Sequence, residues 1–246
     1  MIDKAILKLK ARDAVSAEEE RVLRDAIVRV EDVPSDRNVV RAGEELTVSI
    51  MLLDGLMCRY KDLRNGQRQI MELHVPGDFL DLHSFLLKRL DHYVMSLVPS
   101  RIAIVPHTSL AAITEQHPHL ARLLWLTTLI DAAIHREWLL SLGRRTALGR
   151  IAHFFCEQFH RAKFAGLMEG NACPLPLTQT QLGEMLGMSL VSINRHLQAL
   201  RQTKTADLRA GKLHVRSWPK LAALGEFDPG YLHQIVRKVD ARQSAR

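Results

Sequence analysis

Cysteine is scarce in this 246-residue chain, and its spacing excludes more than its number does. Cys58, Cys156 and Cys173 lie far apart and form no Cys-x-x-Cys, so neither a disulfide framework nor a zinc or iron–sulfur site is indicated, and all three are expected as small buried apolar groups. No apolar run approaches the roughly 18 residues that crossing a bilayer requires, and the start Met1-Ile2-Asp3-Lys4 lacks the apolar core of a signal peptide. A cytoplasmic protein with no membrane partner is expected. Also absent are a Gly-rich phosphate loop, a Gly-x-Ser-x-Gly elbow and any recognisable carboxylate pair. No enzyme is expected, and no catalytic residue is assigned.

What is present is unevenly placed charge. The net +7 says little alone, but residues 143–246 hold 16 Lys+Arg against 7 Asp+Glu while residues 1–142 hold 18 against 20. The positive charge belongs to the C-terminal part. The length exceeds the roughly 100–200 residues of a typical domain, so two domains are expected.

Residues 1 to about 30 are helix-compatible, with Ser16 and Glu19 spaced as a capping box ahead of Val22, Leu23, Ala26 and Ile27. From about Val39 to Pro106 the pattern changes to period two. Leu46, Val48, Ile50 and Leu52 mark one strand ending at Asp54-Gly55, and Leu56, Cys58 and Tyr60 mark a second ending at Asn65-Gly66. A third strand (Met71, Leu73, Val75) ends at Pro76-Gly77-Asp78, and a last one is expected at Arg101 to Val105. Together these read as a small antiparallel barrel or jelly roll. A long helix then runs from about His119 to Leu142, with Leu120, Leu124, Thr127, Ile130, Ile134 and Trp138 along one stripe. Such a stripe suits packing on the β-domain or a two-helix dimer seam, and its place before a domain boundary makes the seam the expectation. Gly143-Arg144-Arg145 follows as a hinge, then a helix over Ala147 to Ala165, a loop over Gly166 to Pro176, and two helical stretches separated by Gly187-Met188. A two-strand hairpin, Thr205 to Leu208 and Leu213 to Val215, closes the pattern around Ala210-Gly211.

Function is concentrated in residues 177–201. Thr178 caps a first helix with Leu182, Met185 and Leu186 inward, Gly187 lets the backbone turn, and Ser189 caps a second helix that buries Ile193, Leu197 and Leu200. That leaves Leu190, Val191, Ser192, Asn194, Arg195 and Gln198 pointing outward. A helix lying in a major groove needs a bidentate donor for guanine and an amide for adenine, which Arg195 and Asn194 supply; Leu190 and Val191 suit thymine methyls. Thr178, Gln179, Ser189 and Ser192 suit phosphates, Thr180 is a further DNA-binding candidate, and Lys204, Arg209 and Lys212 suit backbone contacts from a wing. An ordinary solvated helical hairpin accounts for the helix pair but not for the Gly turn, the following hairpin and the local positive charge together. Double-stranded DNA is the expected partner.

Leu177-Thr178-Gln179 with Leu182-Gly183, Gly187-Met188-Ser189 and Asn194-Arg195-x-Leu197-x-x-Leu200 resembles the helix-turn-helix of the Crp/Fnr (cyclic-AMP receptor protein and fumarate-nitrate regulator) family, and Pro76-Gly77-Asp78-Phe79 resembles a turn of its β-roll. The resemblance implies an α+β chain: a cyclic-nucleotide-binding-like β-roll (a double-stranded antiparallel jelly roll) with a short N-terminal helix over residues 1–117, a dimerisation helix over 118–142, and a winged helix-turn-helix over 143–246. It further implies a homodimer on a palindromic operator, acting with RNA polymerase as activator or repressor. The family's cyclic-nucleotide binders carry a Gly-Glu pair after the turn and an Arg-Ser or Arg-Thr pair on the next strand. Here Asp81-Leu82 stands at the first place and His92 to Ser96 offers no arginine, so cyclic AMP is not expected. No cysteine precedes Cys58, which removes the family's iron–sulfur mechanism. No cofactor is expected.

Asp81, His83, Ser84, Lys88, Arg89 and His92 are candidates for an effector pocket, against the plain reading of a helix and loop packed on the roll. A scaffold that binds DNA without sensing is the second reading. The third is a cupin-like metal-dependent enzyme, prompted by twelve histidines, with His74, His83, His92 and His107 in the β-region. However, the one His-x-His, His117-Pro118-His119, falls at a helix start, where capping or surface exposure is expected, and no metal ligand is assigned.

Overall fold

The computed structural model describes residues 2–233. Two helices open the chain, α1 (Asp3–Lys10) and α2 (Ala17–Asp25), the second started by the expected capping box between Ser16 and Glu19. Seven strands follow: β1 (Arg29–Val33), β2 (Asn38–Val40), β3 (Val48–Asp54), β4 (Met57–Asp62), β5 (Arg68–His74), β6 (Tyr93–Ser96) and β7 (Ser100–Pro106), with the short α3 (Ser84–Leu87) between β5 and β6. They form a three-stranded sheet, β1-β7-β3, and a four-stranded sheet, β2-β6-β4-β5, all neighbours antiparallel. β1, β2 and β6 were not foreseen. β1 reads Arg-Val-Glu-Asp-Val, with only Val33 buried, and it is extended because it pairs with β7 rather than because its own pattern demands it.

Both sheets are covered on both faces, which blurs the period-two signal. Ile50, Leu52, Met57, Val94, Ile102 and Ile104 fill the space between the sheets, while Met51, Ala103 and Val105 face the other way under α1, α2 and the helices after β7. Cys58, Tyr60 and Leu73, which mark two of the period-two strands, form together with Ile70 a core with the C-terminal helices. The opposite face carries Met57, Arg59, Glu72 and His74, paired across β4 and β5 in register.

After β7 come α4 (His107–Gln116) and the 27-residue α5 (Pro118–Arg144), which begins at Pro118, a residue suited to a first helical turn. Gly143 is no hinge: α5 runs through it, and the chain turns at Arg145, which is extended, before Thr146 caps α6 (Ala147–Phe164). The stripe expected to form a dimer seam faces inward. Leu120, Leu124, Ile130, Ile134 and Trp138 are buried within the protomer and Thr127 is half-buried. The first two join the core under α1 and α2, the last three the core shared with the C-terminal helices. Apolar periodicity marks a buried face without saying whose surface buries it.

The remaining elements are β8 (Ala172–Pro174), α7 (Gln179–Leu186), α8 (Leu190–Gln202), β9 (Ala206–Arg209), β10 (Lys212–Val215) and α9 (Trp218–Gly225). β8 lies within the stretch read as a loop and makes the wing a three-stranded sheet, β8-β10-β9. Cys58, Cys156 and Cys173 are free and buried, and burial pushes the thiols of Cys156 and Cys173 up to about 12.

Candidate nucleic-acid interface

α7 and α8 form the helix-turn-helix. The Thr178 hydroxyl accepts the Gln181 amide at 3.1 Å while the Gln181 side chain accepts the Thr178 amide at 2.9 Å, which satisfies two donors that the first turn would leave unpaired. Gly187 ends α7 in the left-handed conformation, with φ +60°, and a Cβ on Gly183 would come within 2.7 Å of the Met188 carbonyl oxygen. These two glycines permit the sharp turn. Ser189 restarts the chain, its hydroxyl accepting the Ser192 amide at 3.3 Å. Leu182, Met185 and Leu186 of α7 and Ile193 and Leu200 of α8 join one core with Ile151, Phe155 and Leu221; Leu197 packs at its edge.

The outward face of α8 is as expected. Leu190, Val191, Asn194, Arg195 and Gln198 are exposed and Ser192 is half-buried. Leu190 and Val191 are 54% and 79% exposed, an apolar pair on a polar surface. Gln198 donates to the Asn194 side-chain oxygen at 3.0 Å, a bond that leaves both N–H donors of the Asn194 amide and the carbonyl oxygen of Gln198 unused by this pair. Arg195 makes no ion pair among the described residues. Thr178, Gln179, Thr180 and Ser189 are exposed beside this face.

The cations assigned to the wing are less uniform. Arg209 pairs with Asp207 and Lys212 with Glu169, whereas Lys204 stands in the turn after α8, ahead of β9, with φ +51°. Only Lys204 of the three makes no ion pair among the described residues.

α7 is tied to the β-roll. Its last carbonyls, which have no partner within the helix, are met from outside: Gln69 of β5 donates to Met185 at 3.1 Å and Arg150 of α6 donates to Leu186 at 2.7 Å. A second tie is ionic. Asp78, in the turn after β5, receives Lys8 of α1 at 2.7 Å and Arg161 of α6 at 2.9 Å. Against the upward push of burial, these two cations hold the Asp78 carboxyl well below the usual range.

The six residues assigned to an effector pocket do not share one. Asp81 and Ser84 are fully buried, where Asp81 accepts the Ile50 amide at 2.6 Å and Ser84 meets His107 at 3.1 Å, with Lys88 on the far nitrogen of that ring at 3.4 Å. Arg89 pairs with Glu45 at the surface. Only His83 and His92 face a cleft of about 280 Å³ against α5, together with Arg59, Asp91, Thr128, Asp131 and His135. Arg59, Asp131 and His135 were missed, since no local signal places a strand arginine and one face of a distant helix together. Arg59 pairs with Glu72 and reaches Asp131 at 3.4 Å. Burial, reinforced by Arg59, lowers His83 to about 3 and His135 to about 4, and the buried Nε2 of His92 has no hydrogen-bond partner. Of the remaining histidines, His74 is buried with neither ring nitrogen hydrogen-bonded among the described residues and its Nε2 3.7 Å from Glu72, and His119 pairs with Glu19 at 2.6 Å rather than capping α5.

Asp81 also makes a pH prediction. Burial pushes its carboxyl up to about 7 from 3.8, so the folded chain holds a proton that the unfolded chain releases. The stabilising contribution is therefore present below about pH 4 and is lost as pH rises to about 7. Asp81→Asn keeps the acceptor for Ile50 and removes the titration. In thermal melts from about pH 3.5 to 8 the variant is expected to match the wild type at the acid end and to melt at least about 2–4 °C higher at pH 8, the shift for roughly 1 kcal/mol in a chain of this size. Parallel curves over that range would remove Asp81 as the titrating group.

Residues 30–117 match the family described as cyclic nucleotide-binding domain, and residues 149–224 match the Crp-like helix-turn-helix domain. The chain is 26% identical over 182 residues to the transcriptional activator protein FnrL of Cereibacter sphaeroides, covering 73% of this chain and 72% of that one. It is 25% identical over 191 residues to the nitrogen fixation regulation protein FixK of Bradyrhizobium diazoefficiens, covering 77% and 79%. The structure of FixK2 from Bradyrhizobium japonicum superposes with a TM-score of 0.73 at 25% identity, covering 80% of this chain and 96% of that one. With a β-roll, a long helix and a helix-turn-helix in the matching order, this chain belongs to the Crp/Fnr family of transcription regulators.

Proposed function

We propose that this regulator works as a cytoplasmic homodimer that reads a palindromic operator through α8 and acts on RNA polymerase at nearby promoters. The observation that carries the base-reading role is the α8 surface itself: Arg195 exposed and without an ion pair among the described residues, next to Asn194 of the Asn194–Gln198 pair and about one turn after the exposed Leu190 and Val191. Arg195 takes guanine, Asn194 with Gln198 takes adenine, and the two apolar side chains meet thymine methyls. Thr178, Gln179, Thr180, Ser189 and Ser192 hold phosphates, as do Lys204 and, on exchanging their partners, Arg209 and Lys212.

The seam lies on the side of α5 away from the sequence-derived stripe. Arg122, Trp125, Leu129, Ala132, Arg136, Leu139 and Gly143 follow one another at alternating spacings of three and four, the a/d pattern of a two-helix coil. Trp125, Leu129 and Leu139 are 65%, 51% and 72% exposed, unusual for side chains of this size unless a second chain covers them.

The signal is not cyclic AMP. Arg59 of the α5 cleft is already offset by Glu72 and Asp131, which leaves a cyclic phosphate no unmatched cation. The α5 cleft, where the buried Nε2 of His92 has no hydrogen-bond partner among the described residues, is the place for an effector.

Site selection from a random duplex pool, followed by titration of the winner and a scrambled duplex, tests this reading. A two-fold symmetric consensus with half-sites one helical turn apart is expected, bound at least ~10³-fold tighter than the scrambled duplex. Arg195→Ala should relax preference at one position in each half-site by about 1–3 kcal/mol. Equal binding to both duplexes, lost with salt, would mean charge without readout.

A further inference from the structure

The reading face of α8 does not stand alone. Gln179, Thr180, Glu184, Ser189 and Leu190 form one wall of an open cleft of about 620 Å³, with Glu184 the one carboxylate in its lining, and the other wall is the tip of the β4–β5 hairpin: Leu63, Gly66, Gln67, Arg68 and Gln69. The tip is built to hold its shape. Leu63 and Gln67 bond across the turn, Gly66 takes φ +83°, and the Asn65 side chain accepts the Gln67 amide at 3.0 Å. Arg68 braces the base by gripping both Asp62 oxygens at 2.8 and 3.1 Å with its guanidinium 3.7 Å from the Tyr60 ring centre. Gln69, next along, bonds to α7. The hairpin and the helix-turn-helix therefore hold a common position.

The sign of the charge on this tip decides what it is for. Residues 61–68 carry Lys61, Arg64 and Arg68 against Asp62 alone, a surplus of two positive charges. Lys61 is occupied by Asp91 and Arg68 by Asp62. Arg64, at the apex, is exposed and makes no ion pair among the described residues. A segment that shields a DNA-reading surface gains by imitating DNA, with acidic side chains. A basic, pre-shaped tip beside that surface is instead complementary to phosphate.

We propose that the β4–β5 hairpin is a second DNA contact, with Arg64 at its apex engaging a backbone phosphate beside the one held by Gln179, Thr180 and Ser189. The β-roll thereby contributes directly to operator affinity, without base readout, and Arg68 and Asp62 position the apex. This inference rests on the assignment of α8 as the reading helix.

The experiment titrates wild type, Arg64→Ala, Arg64→Lys and Arg195→Ala against the selected duplex and its scrambled counterpart at several salt concentrations. Arg64→Ala is expected to weaken both duplexes alike, by roughly tenfold at low salt, and to flatten the plot of log affinity against log salt by about 0.9 per protomer. Arg64→Lys restores both, because a phosphate contact needs a charge rather than a fork. Arg195→Ala loses base preference and keeps most of the slope. Binding by Arg64→Ala that equals the wild type's overturns the hairpin contact, and tighter binding overturns it in favour of a shield, in each case leaving the α8 assignment intact. A wild type that does not prefer the selected duplex overturns the α8 assignment and this inference with it.

Discussion

Asp78→Ala is expected to lower the free energy of unfolding by about 3 kcal/mol, the scale for removing one partner from a buried ion pair. Asp78 stands where three parts of the chain meet: the turn after β5, Lys8 of α1 and Arg161 of α6. Alanine leaves both cations facing a low-polarity junction, and it removes the acceptor for the Val75 amide at 2.9 Å. Arg161 keeps a partial partner in Glu157 at 3.4 Å, but Lys8 keeps none of comparable closeness among the described residues. Burial already lowers the Lys8 pKa, and Asp78 is the carboxylate that offsets that cost. Lys8→Met on the Asp78→Ala background is therefore expected to recover part of the loss, so the double variant falls short of the sum of the singles. Urea unfolding reads the effect as a lowered midpoint at unchanged slope. An Asp78→Ala chain as stable as the wild type would show that the network is decorative.

Trp125→Glu combined with Leu129→Glu is expected to convert a dimer at micromolar concentration into a monomer and to reduce operator affinity more than a hundredfold. Two half-sites read by one dimer gain roughly 10²–10⁴-fold over separate binding, and that gain disappears when the seam opens. Both side chains are more than half exposed in the protomer, so the fold itself should survive and the melting temperature at high dilution should change little. Ile130→Glu supplies the contrast. Ile130 is 3% exposed and belongs to the protomer core, so a charge there should unfold the chain rather than split a dimer. Light scattering and sedimentation decide the matter, and a double variant that remains dimeric would place the seam elsewhere.

Local chemistry was the legible part of this protein. The Ser16 and Thr178 caps, the Gly187 turn and the outward set on α8 depend on residues within a few positions of one another, where sterics and hydrogen bonding act alike in a peptide and in a fold. The last of the β-roll strands and the long helix were readable for the same reason. Elements that owe their shape to a distant partner were not. β8 is three residues long and exists because β10 lies beside it, and the weakly patterned β1 depends on β7.

The candidate sites divide along the same line. The outward residues of α8 were legible in the amino-acid sequence, because a helix's outward face follows from its own periodicity once its inward face is known. Which side of α5 stays exposed, which histidines share a cleft, and what lies beside α8 were decided only by tertiary structure. Burial of Leu120, Leu124, Ile130, Ile134 and Trp138 within the protomer hands the exposed stripe to Trp125, Leu129 and Leu139. Packing of α5 over the mouth of the roll brings Arg59, His83, His92 and His135 together from three separate segments. Periodicity along one element records how much of it is covered, whereas the identity of the covering surface depends on contacts between residues far apart in the chain.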